Sequence, residues 1–579
     1  MAKFNMLKKW LFPDSNNHAD DENSVSNPDT INHMGEDSFT LSDKESLVSR
    51  VMTTFLSSEG SYYEKGDSEM TEIISLMDKV DPEFIAKLAI YARNEGNLRS
   101  VSHLLAGRLA KYLSGEEWAK RFYDRIVVRP DDMSEILACY AYLNGMDSGN
   151  ISKIPNAIKR GFKSALERFD AYQIDKYRME RRDISLVDLV NLFHPRGDEK
   201  NAEAYRRLMK GECLAGLYET KILEKEMSSA GQTAATEEEK RKAKHDAIAS
   251  VVDNVSGMPV MNLIRNLRNI ILYAPDKVDE VCGQLHNVRK IENSRLLPFR
   301  FASAYGEVEK MDYPYCVKSE IPLESDLVGV EISENEFKML KSNVLKALED
   351  ALQISCERNI PKLEGSVAVL VDHSGSVRGD GGGSSRVSPF SSVTTAMIGN
   401  LFGCMMAYRQ DNVYLGLFGD RLIHVPINRR LPILDMNMTS YEMGAKCGGA
   451  TETGIYDFFR AVVKERKELD NIIVFSDCQI GDIYTKREGS WAEFTPWYGT
   501  DSKDRGDNFQ NLFKKFRKIN PKANVIVVDI KSYGNTVFPF DPVNGVQNLA
   551  GWSDRIFSQI EGFTKGYSAV IKSIEAIKL

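Results

Sequence analysis

The spacing of the apolar residues changes near residue 361 and divides the chain into two parts. From about residue 44 to residue 360, apolar residues recur at intervals of three and four, as in Leu47, Val51 and Phe55. This spacing places them on one face of a helix and predicts a succession of amphipathic α-helices. The first part is therefore predicted to be all-α, either a stacked array of helical pairs or an irregular helical bundle.

Two helix starts in this part carry capping residues. Asp81-Pro82 provides an N-cap followed by proline at the first helical position, and Ser185 with Asp188 predicts a capping box. Residues 228–244 (SSAGQTAATEEEKRKAK) interrupt the apolar spacing. We expect this stretch to form an exposed loop or a frayed helix.

After residue 361, short apolar runs alternate with helical stretches. Four runs have the length and composition of buried strands: residues 366–372, 412–419, 471–477 and 524–530. The stretches at 391–409 and 507–518 have the spacing of helices. This alternation predicts an open, doubly wound α/β sheet, in which ligands bind at the carboxyl ends of the strands.

The composition is that of a soluble globular protein, with 42% hydrophobic and 27% charged residues among 579. No run of about 18 apolar residues occurs, and the apolar stretch at the N-terminus is too short for a signal peptide. We therefore expect a cytoplasmic protein with no membrane partner. The eight cysteines include no C-x2-C pair, which argues against a zinc ribbon, a redox motif or a disulfide framework.

Acidic residues dominate the N-terminal segment and the chain as a whole. Residues 14–46 contain nine acidic residues against one lysine and few apolar residues, so we expect most of this segment to be a flexible tail. The formal net charge is −8, which excludes a uniformly basic nucleic-acid-binding protein. Any basic binding site must be local.

A cluster of oxygen-bearing side chains follows the predicted strands. Asp372, Ser374 and Ser376 form a D-x-S-x-S pattern directly after the first strand. Thr451 lies in the Gly-rich loop GGATET, and Asp477 follows the strand IIVFS. Carboxylates and hydroxyls are ligands for hard divalent cations such as Mg²⁺. These five residues therefore predict a metal site, with a turn stabilised by Asx hydrogen bonds as the alternative.

The order D-x-S-x-S, threonine, aspartate resembles the metal-ion-dependent adhesion site of von Willebrand factor A domains. The resemblance implies a coordination position left for a partner's acidic group or for water. A nucleophilic role for Ser374 is disfavoured because the surrounding sequence is not G-x-S-x-G and His373 is its immediate neighbour. The loop Gly379–Pro389 lacks the G-K-S/T of a phosphate-binding loop. With no other catalytic constellation apparent, we expect a non-enzymatic protein.

A basic segment lies within the helical part. Residues 151–182 carry nine cations against four anions, a net charge of +5. Lys159, Arg160 and Lys163 lie off the apolar stripe of their predicted helix, and a second cluster leads towards a histidine in FHP. Such cations can contact RNA phosphates, or they can form an ordinary solvated surface. The candidate RNA-binding residues are Lys159, Arg160, Lys163, Lys176, Arg178, Arg181, Arg182 and His194.

Several segments of the first part resemble the TROVE module. These are NPDTINHMGEDSF and FLSSEGSYYE within residues 27–64, PNAIKRGFKSALERFDAYQIDKYRMERR followed by LVDLVNLFHP, and the stretches at 258–270 and 296–308. A TROVE module followed by an A domain is similar to the Ro autoantigen family. The resemblance implies an acidic tail at 1–26, a TROVE module at 27–360 and an A domain at 361–579.

The Ro resemblance also implies a fold and a function. The fold is a ring of HEAT-like helical repeats closed by the A domain, and the function is noncatalytic RNA binding in noncoding-RNA quality control. Single-stranded 3′ ends of misfolded RNAs would enter the ring, and Y-like RNAs would bind its basic outer surface. The residues that match the Y-RNA contacts are Lys176, Arg181 and His194, with Arg178 and Arg182 as alternatives to Arg181. A ribonuclease could be tethered through the Y-like RNA; the alternative function is a metal-dependent protein-interaction module.

Overall fold

Helices form most of the chain up to residue 359, as the three-and-four spacing predicts. In a computed structural model, the helices of this part are α1 Asp43–Thr53, α2 Glu69–Met77, α3 Pro82–Asn94, α4 Arg99–Leu109, α5 Ala119–Ile126, α6 Pro130–Leu143, α7 Asn156–Leu166, α8 Ala171–Lys176, α9 Leu186–Phe193, α10 Ala202–Met209, α11 Glu237–Val252, α12 Val260–Tyr273, α13 Val278–Leu285, α14 Val288–Ser294, α15 Pro298–Glu309 and α16 Glu334–Asn359. The structure describes residues 28–32, 36–54, 69–96, 98–113, 115–146, 151, 153–180, 182–197, 201–214, 216–218, 236–252, 258–313, 315–317, 327–329, 332–379, 385, 393–449, 453–481, 508–531, 533–539, 544–551, 556–564 and 570–579.

Both predicted helix starts are confirmed. The Asp81 carboxylate accepts a hydrogen bond from the backbone N–H of Phe84 at 2.9 Å, and Pro82 occupies the first helical position. At α9, Ser185 Oγ accepts from the Asp188 N–H at 3.2 Å, and Asp188 accepts from the Ser185 N–H at 2.8 Å. These bonds satisfy donors that have no partner within the helix.

The second part of the chain contains a six-stranded sheet. Its strands are β5 Val367–Asp372, β6 Val413–Phe418, β7 Leu422–Val425, β8 Asn471–Ser476, β9 Asn524–Asp529 and β11 Val546–Ala550, in the order β11-β9-β8-β5-β6-β7. All neighbours are parallel except the edge strand β7, which is antiparallel to β6. The four predicted strands are confirmed, and β7 and β11 are additions.

The helices of this part are α17 Gly375–Arg378, α18 Thr395–Arg409, α19 Ile433–Gly444, α20 Gly454–Glu465, α21 Phe509–Ile519, α22 Ile556–Thr564 and α23 Val570–Glu575. The remaining strands are β1 Thr30–Ile31, β2 Asp37–Thr40, β3 Tyr315–Val317, β4 Leu327–Gly329 and β10 Asn535–Thr536. The helices α18 and α21 agree with the predicted stretches at 391–409 and 507–518.

Three apolar clusters form the interior. One is built from the helices α1 to α10. A second extends from α11 to α16 and continues onto one face of the sheet, where Val369 and Phe475 lie buried. The third covers the other face with aromatic residues of α20 and α21. Because both faces of the sheet are buried, its strands are nearly continuous apolar runs.

Each end of the described chain packs on the opposite part of the molecule. Phe39 and Thr40 of β2 pair with Thr536 and Asn535 of β10, beside the sheet. At the other end, Ile574 of α23 is fully buried in the cluster of α1 to α10. We call these two contacts the terminal exchange. It joins the helical part to the sheet part through both ends.

One expectation differs from the structure, and a second is tested only in part. Residues 28–32 and 36–46 are not part of a flexible tail, because β1 and β2 form an antiparallel pair and α1 begins at Asp43. Residues 237–244 are helical and belong to α11, in agreement with the helix that was one of the two alternatives for 228–244, while residues 228–235 lie outside the described residues. Pairing with distant segments explains the first difference, since little in the local sequence favours order.

Candidate functional site

The carboxyl ends of β5 and β8 bring the predicted metal ligands together. Asp372 is the last residue of β5, and Ser374 caps α17 immediately after it. The Ser374 N–H donates to Asp372 Oδ1 at 2.9 Å, and the hydroxyls of Ser374 and Ser376 are 3.1 Å apart. All three side chains are at least 95% buried. The D-x-S-x-S turn therefore presents its oxygens in a pocket shielded from solvent.

Asp477 enters the same place from the neighbouring strand. It follows β8, and the preceding residue, Ser476, donates from its hydroxyl to Asp372 Oδ2 at 2.7 Å. Asp477 Oδ1 accepts a hydrogen bond from the Gln479 N–H at 3.2 Å. Asp477 Oδ2 is buried and accepts no hydrogen bond from the described residues. A buried carboxylate oxygen without a donor is a position that a cation can satisfy.

The electrostatics of this pair also favour a cation. Burial raises the pKa of Asp372 above its ordinary value. Burial and the nearby charge of Asp372 raise the pKa of Asp477. Two ionised carboxylates in an apolar surrounding repel each other, and a divalent ion would relieve both the repulsion and the desolvation. The donor set thus fits Mg²⁺.

The fifth predicted ligand, Thr451, lies outside the described residues. The loop before it does reach the site, because the Gly449 carbonyl accepts a hydrogen bond from the Gly375 N–H at 3.1 Å. Gly448 has φ of 85°, a conformation that favours glycine. Among the described residues, no group of three or more His, Cys, Asp and Glu side chains is arranged to hold a metal. A metal here would depend on hydroxyl ligands.

His373 is not placed to act as a base for Ser374. Its Nε2 lies 3.0 Å from Asn400 Oδ1, and its Nδ1 lies 2.9 Å from the Arg378 guanidinium. Burial and the charge of Arg378 lower the pKa of His373 to about 3. The imidazole is therefore a neutral member of the buried framework, with both nitrogens already bonded.

On the helical part, α7 presents the predicted basic surface. Ile158, Phe162 and Ala165 are fully buried, and α7 packs closely on α5. Lys159 and Arg160 are exposed and Lys163 is half-buried. None of these three cations has a hydrogen-bond or ion-pair partner among the described residues. We call Lys159, Arg160 and Lys163 the α7 cations.

The second basic cluster is largely engaged within the protein. Arg178 bonds Asp175 at 2.8 Å and the Glu212 carbonyl at 2.9 Å, and Arg182 is paired with Glu135. Lys176 donates to the Tyr172 hydroxyl at 3.4 Å.

The second basic cluster also includes His194 and Arg181. His194 is exposed and ends α9 in the left-handed conformation. Arg181 lies outside the described residues.

Sequence reasoning missed two residues at the candidate metal site. Ser476 bonds Asp372, and Arg378 holds both His373 and the Tyr441 carbonyl, at 3.1 Å. Ser476 could have been noticed, since it directly precedes Asp477 at the end of a predicted strand. The contact of Arg378 depends on how α17 and α19 pack, which a local pattern does not reveal.

Part of the chain matches a known protein family. Residues 33–251 match the TROVE domain. The chain is similar to telomerase protein component 1 of mouse, with 21% identity over 47% of this chain and 13% of that protein. The rat protein of the same name is 24% identical over 27% of this chain and 6% of that protein. The chain therefore spans only a small part of these relatives.

Among solved structures, the Ro (RSR) protein of Deinococcus radiodurans has a similar fold. The TM-score is 0.54 at 14% identity, and the match covers 91% of this chain and all of that chain. The matched domain indicates similarity to TROVE-domain proteins over residues 33–251, and the solved structure shows that the fold is shared. The matched domain and the shared fold support the resemblance to the Ro family. TROVE and Ro proteins are known as RNA-binding proteins.

The part of the chain that the structure describes contains no candidate membrane-spanning helix. None of its helices combines the length and the apolar character needed to cross a bilayer.

Proposed function

We propose that this protein is a noncatalytic, RNA-binding subunit of a ribonucleoprotein. The observation that carries the proposal is the position of the α7 cations: they lie within the matched TROVE domain and are not engaged with acidic side chains of the described chain. Unpaired Lys and Arg on a rigid helix are suited to RNA phosphates. The net charge of −8 does not prevent RNA binding, because salt screens charges that lie far from the contact. The charges near the RNA therefore dominate the interaction.

The resemblance to the Ro family supports a more specific role in RNA quality control. We propose that the helical part at 27–360 is a ring of HEAT-like repeats, closed by an A domain at 361–579. Misfolded noncoding RNAs would insert single-stranded 3′ ends into the ring, and Y-like RNA would bind outside, through the α7 cations, Lys176 and His194. The protein would act in RNA quality control, with a ribonuclease tethered through the Y-like RNA.

The α7 cations can be tested by charge reversal. Changing Lys159, Arg160 and Lys163 to Glu should weaken binding to a structured RNA and flatten the dependence of log K on log salt by about 0.7–0.9 per lost phosphate contact. Affinities are measured by filter binding between 50 and 200 mM salt, with RNAs that carry or lack a single-stranded 3′ tail. A tail that adds affinity supports the threading role.

The matched control reverses three exposed lysines on other elements: Lys310, Lys338 and Lys467. It changes the net charge by the same amount. If both triple variants bind like the unaltered protein, α7 is not an RNA surface. If both lose affinity equally, only the total charge matters, and the proposal fails for this site.

A second candidate function rests on the unpartnered oxygen of Asp477. We propose that Asp372, Ser374, Ser376, Asp477 and Thr451 hold Mg²⁺, which presents an open position to a partner's carboxylate. When bound, the ion would supply positive charge for that interaction. This role belongs to the sheet part and is compatible with RNA binding by the helical part.

Metal binding can be tested without a known partner. Adding Mg²⁺ at 100 times its dissociation constant should stabilise the protein by about 2.7 kcal/mol, seen as a higher unfolding temperature that EDTA reverses. Asp477→Asn keeps the shape of the side chain but should abolish the Mg²⁺ response. Asp457→Asn, on the exposed face of α20, should retain it. An unchanged response in Asp477→Asn would show that Mg²⁺ binds elsewhere.

A further inference from the structure

A line of exposed lysines runs along α21 in the sheet part. The residues of α21 include four cations and no acidic residue, although the chain has 83 Asp and Glu against 75 Lys and Arg. Lys514 and Lys518 are exposed one turn apart, and Lys522 is exposed just beyond the helix. Within the described part of the chain, none of these three lysines has a hydrogen-bond or ion-pair partner. We call them the α21 lysines.

Exposed lysines on several other helices lie beside a carboxylate. Lys310 pairs with Glu307 at 3.1 Å, and Lys338 pairs with Glu334 at 2.5 Å. Such pairs, three or four residues apart, cancel the charge locally. No carboxylate occurs at these spacings from any of the α21 lysines. They therefore produce a local positive potential that the overall charge of −8 conceals.

The packing of α21 holds these lysines on a rigid element. The buried face of the helix is aromatic and lies against the sheet: Phe509, Phe513 and Phe516. The Asn508 side chain caps the first turn. Beyond the last turn, Arg517 donates to the Ala523 carbonyl at 2.6 Å, which fixes the turn that carries Lys522.

The α21 lysines are separate from both sites described above. Helices of the first part pack on one face of the sheet, and α21 packs on the other. Because α21 leads directly into β9, Lys518 and Lys522 lie towards the amino edge of the sheet. The candidate metal site lies at the carboxyl edge. A ligand of the α21 lysines would therefore form a contact of its own.

The chemistry of the α21 lysines restricts the partner. A lysine is a compact point charge that suits phosphate oxygens. All aromatic side chains of α21 are buried, so no ring of this helix can stack on a base. Contacts to phosphates carry no sequence information by themselves. A basic stripe along one helix is typical of nucleic-acid binding, which here would involve the backbone and not the bases.

We propose that the α21 lysines bind the phosphate backbone of RNA without regard to its sequence. They extend the RNA-binding surface from the helical part to the sheet part. This proposal rests on the proposed RNA binding by the chain, but it does not require a contact with the α7 cations.

Neutralising the α21 lysines tests this surface in the full chain. The triple variant Lys514→Gln, Lys518→Gln, Lys522→Gln changes only exposed positions and should fold normally. Its affinity for an RNA hairpin should fall by about tenfold or more at about 50 mM salt. The slope of log K against log salt should decrease by about 0.7–0.9 per lost phosphate contact. Two hairpins of equal length and unrelated sequence should show the same loss.

The matched control neutralises Lys310, Lys338 and Lys572, which are exposed on other helices, and it changes the net charge by the same amount. Lys467 is not used here, because its carbonyl accepts a hydrogen bond from Asn520 at the end of α21. We expect little loss of affinity in the control. Thermal unfolding of both triple variants verifies that each is folded.

Charge reversal of the α7 cations in the same assay separates the two surfaces. Loss of affinity in the α21 variant alone supports this proposal and contradicts the one for α7. Loss in the α7 variant alone overturns this proposal and leaves the other intact. If the unaltered chain binds neither hairpin, both fail.

Three further results would overturn the role of the α21 lysines. Equal losses in the α21 variant and its control would show that only the total charge matters. Losses that differ between the two hairpins would contradict binding through the backbone. Competition by a polyglutamate peptide as strong as that by a hairpin of equal charge would identify an acidic protein as the better partner.

Discussion

At the scale of single residues, one carboxylate connects three helices of the helical part. Asp132 in α6 accepts hydrogen bonds from Arg93 at 3.0 Å and Arg99 at 3.1 Å, and it lies 3.0 Å from His103 Nε2. It also accepts from the backbone N–H groups of Val128 and Arg129. Burial alone would raise its pKa, but the bond to His103 and the charge of Arg93 hold the pKa of Asp132 well below 3.8.

Replacing this carboxylate should be costly. Asp132→Ala leaves Arg93 buried without its partner, for which we expect a loss of about 3–5 kcal/mol in the free energy of unfolding. Because the folded-state pKa of Asp132 is lowered, its contribution is present above the unfolded value near 3.8 and is lost as the pH falls below it. Urea unfolding of the helical part between pH 7 and pH 3 measures both effects.

The control for Asp132→Ala is Glu307→Gln, which removes an exposed ion pair with Lys310. We expect a loss below about 1 kcal/mol from this change. Equal stability of the two variants at pH 7, or a pH profile that Asp132→Ala leaves unaltered, would contradict the role assigned to this carboxylate.

Residue-scale chemistry could be predicted only where it is local. Asp372, Ser374 and Ser376 are brought together by one turn, so their spacing alone revealed them. Asp477 could also be predicted, because parallel strands end at the same edge of a sheet. By contrast, the bond from Arg378 to the Tyr441 carbonyl gave no signal in the sequence, since it depends on how α17 and α19 pack. The engagement of Arg178 and Arg182 likewise depends on tertiary partners.

At the scale of elements, the close packing of α5 on α7 depends on a glycine. A Cβ added at Gly161 would lie 2.4 Å from Tyr123 Cβ and 2.8 Å from the Lys120 carbonyl oxygen. Both neighbours are fixed parts of α5, so they cannot yield without moving the helix. The absence of a side chain therefore sets the distance between these two helices, and with it the placement of the α7 cations.

We expect Gly161→Ala to lower the free energy of unfolding by about 1–3 kcal/mol because it overpacks this contact. Gly283 in α13 offers the matched control, since an added Cβ there meets nothing within 4 Å. Gly283→Ala should stabilise the protein by about 0.5–1 kcal/mol through helix propensity. Thermal unfolding of both variants provides the measurement, and a shift in the same direction would argue against the packing explanation.

Element prediction succeeded where the apolar pattern was strong. The four buried parallel strands and the capped helices were predicted because burial on both faces leaves a continuous apolar run. The edge strand β7 was missed because it is short and pairs on one side only. β11 was missed because Gln547 and Asn548 interrupt its apolar run, and β2 because its partner is β10, far away in the sequence.

At the scale of the whole molecule, the terminal exchange holds the two parts together. Asn32 Nδ2 donates to the Ile480 carbonyl at 2.6 Å, and Gln510 donates to the Asp37 carbonyl at 3.0 Å. At the other end, Arg121 donates to the Leu579 carbonyl at 2.9 Å. Neither part is complete without a segment supplied by the opposite end of the chain.

We expect Ile574→Ala to cost about 2–5 kcal/mol, and the loss should appear in the unfolding of the helical part, although Ile574 follows the sheet in sequence. Limited proteolysis should show faster cleavage within α1 to α10. Lys572→Ala, an exposed change in the same helix, is the control and should have little effect. Cleavage that accelerates only in the sheet part would show that α23 does not stabilise the helices.

The terminal exchange also has a consequence for biosynthesis. Phe39 pairs with Thr536, so β2 leaves the ribosome long before its partner strand exists. At 5–20 residues per second, the interval between these two residues is roughly 25–100 seconds. During that time β2 has an unpaired edge that can bind other extended chains. A nascent-chain chaperone that shields this edge would therefore matter more for the yield of folded protein than for its final stability.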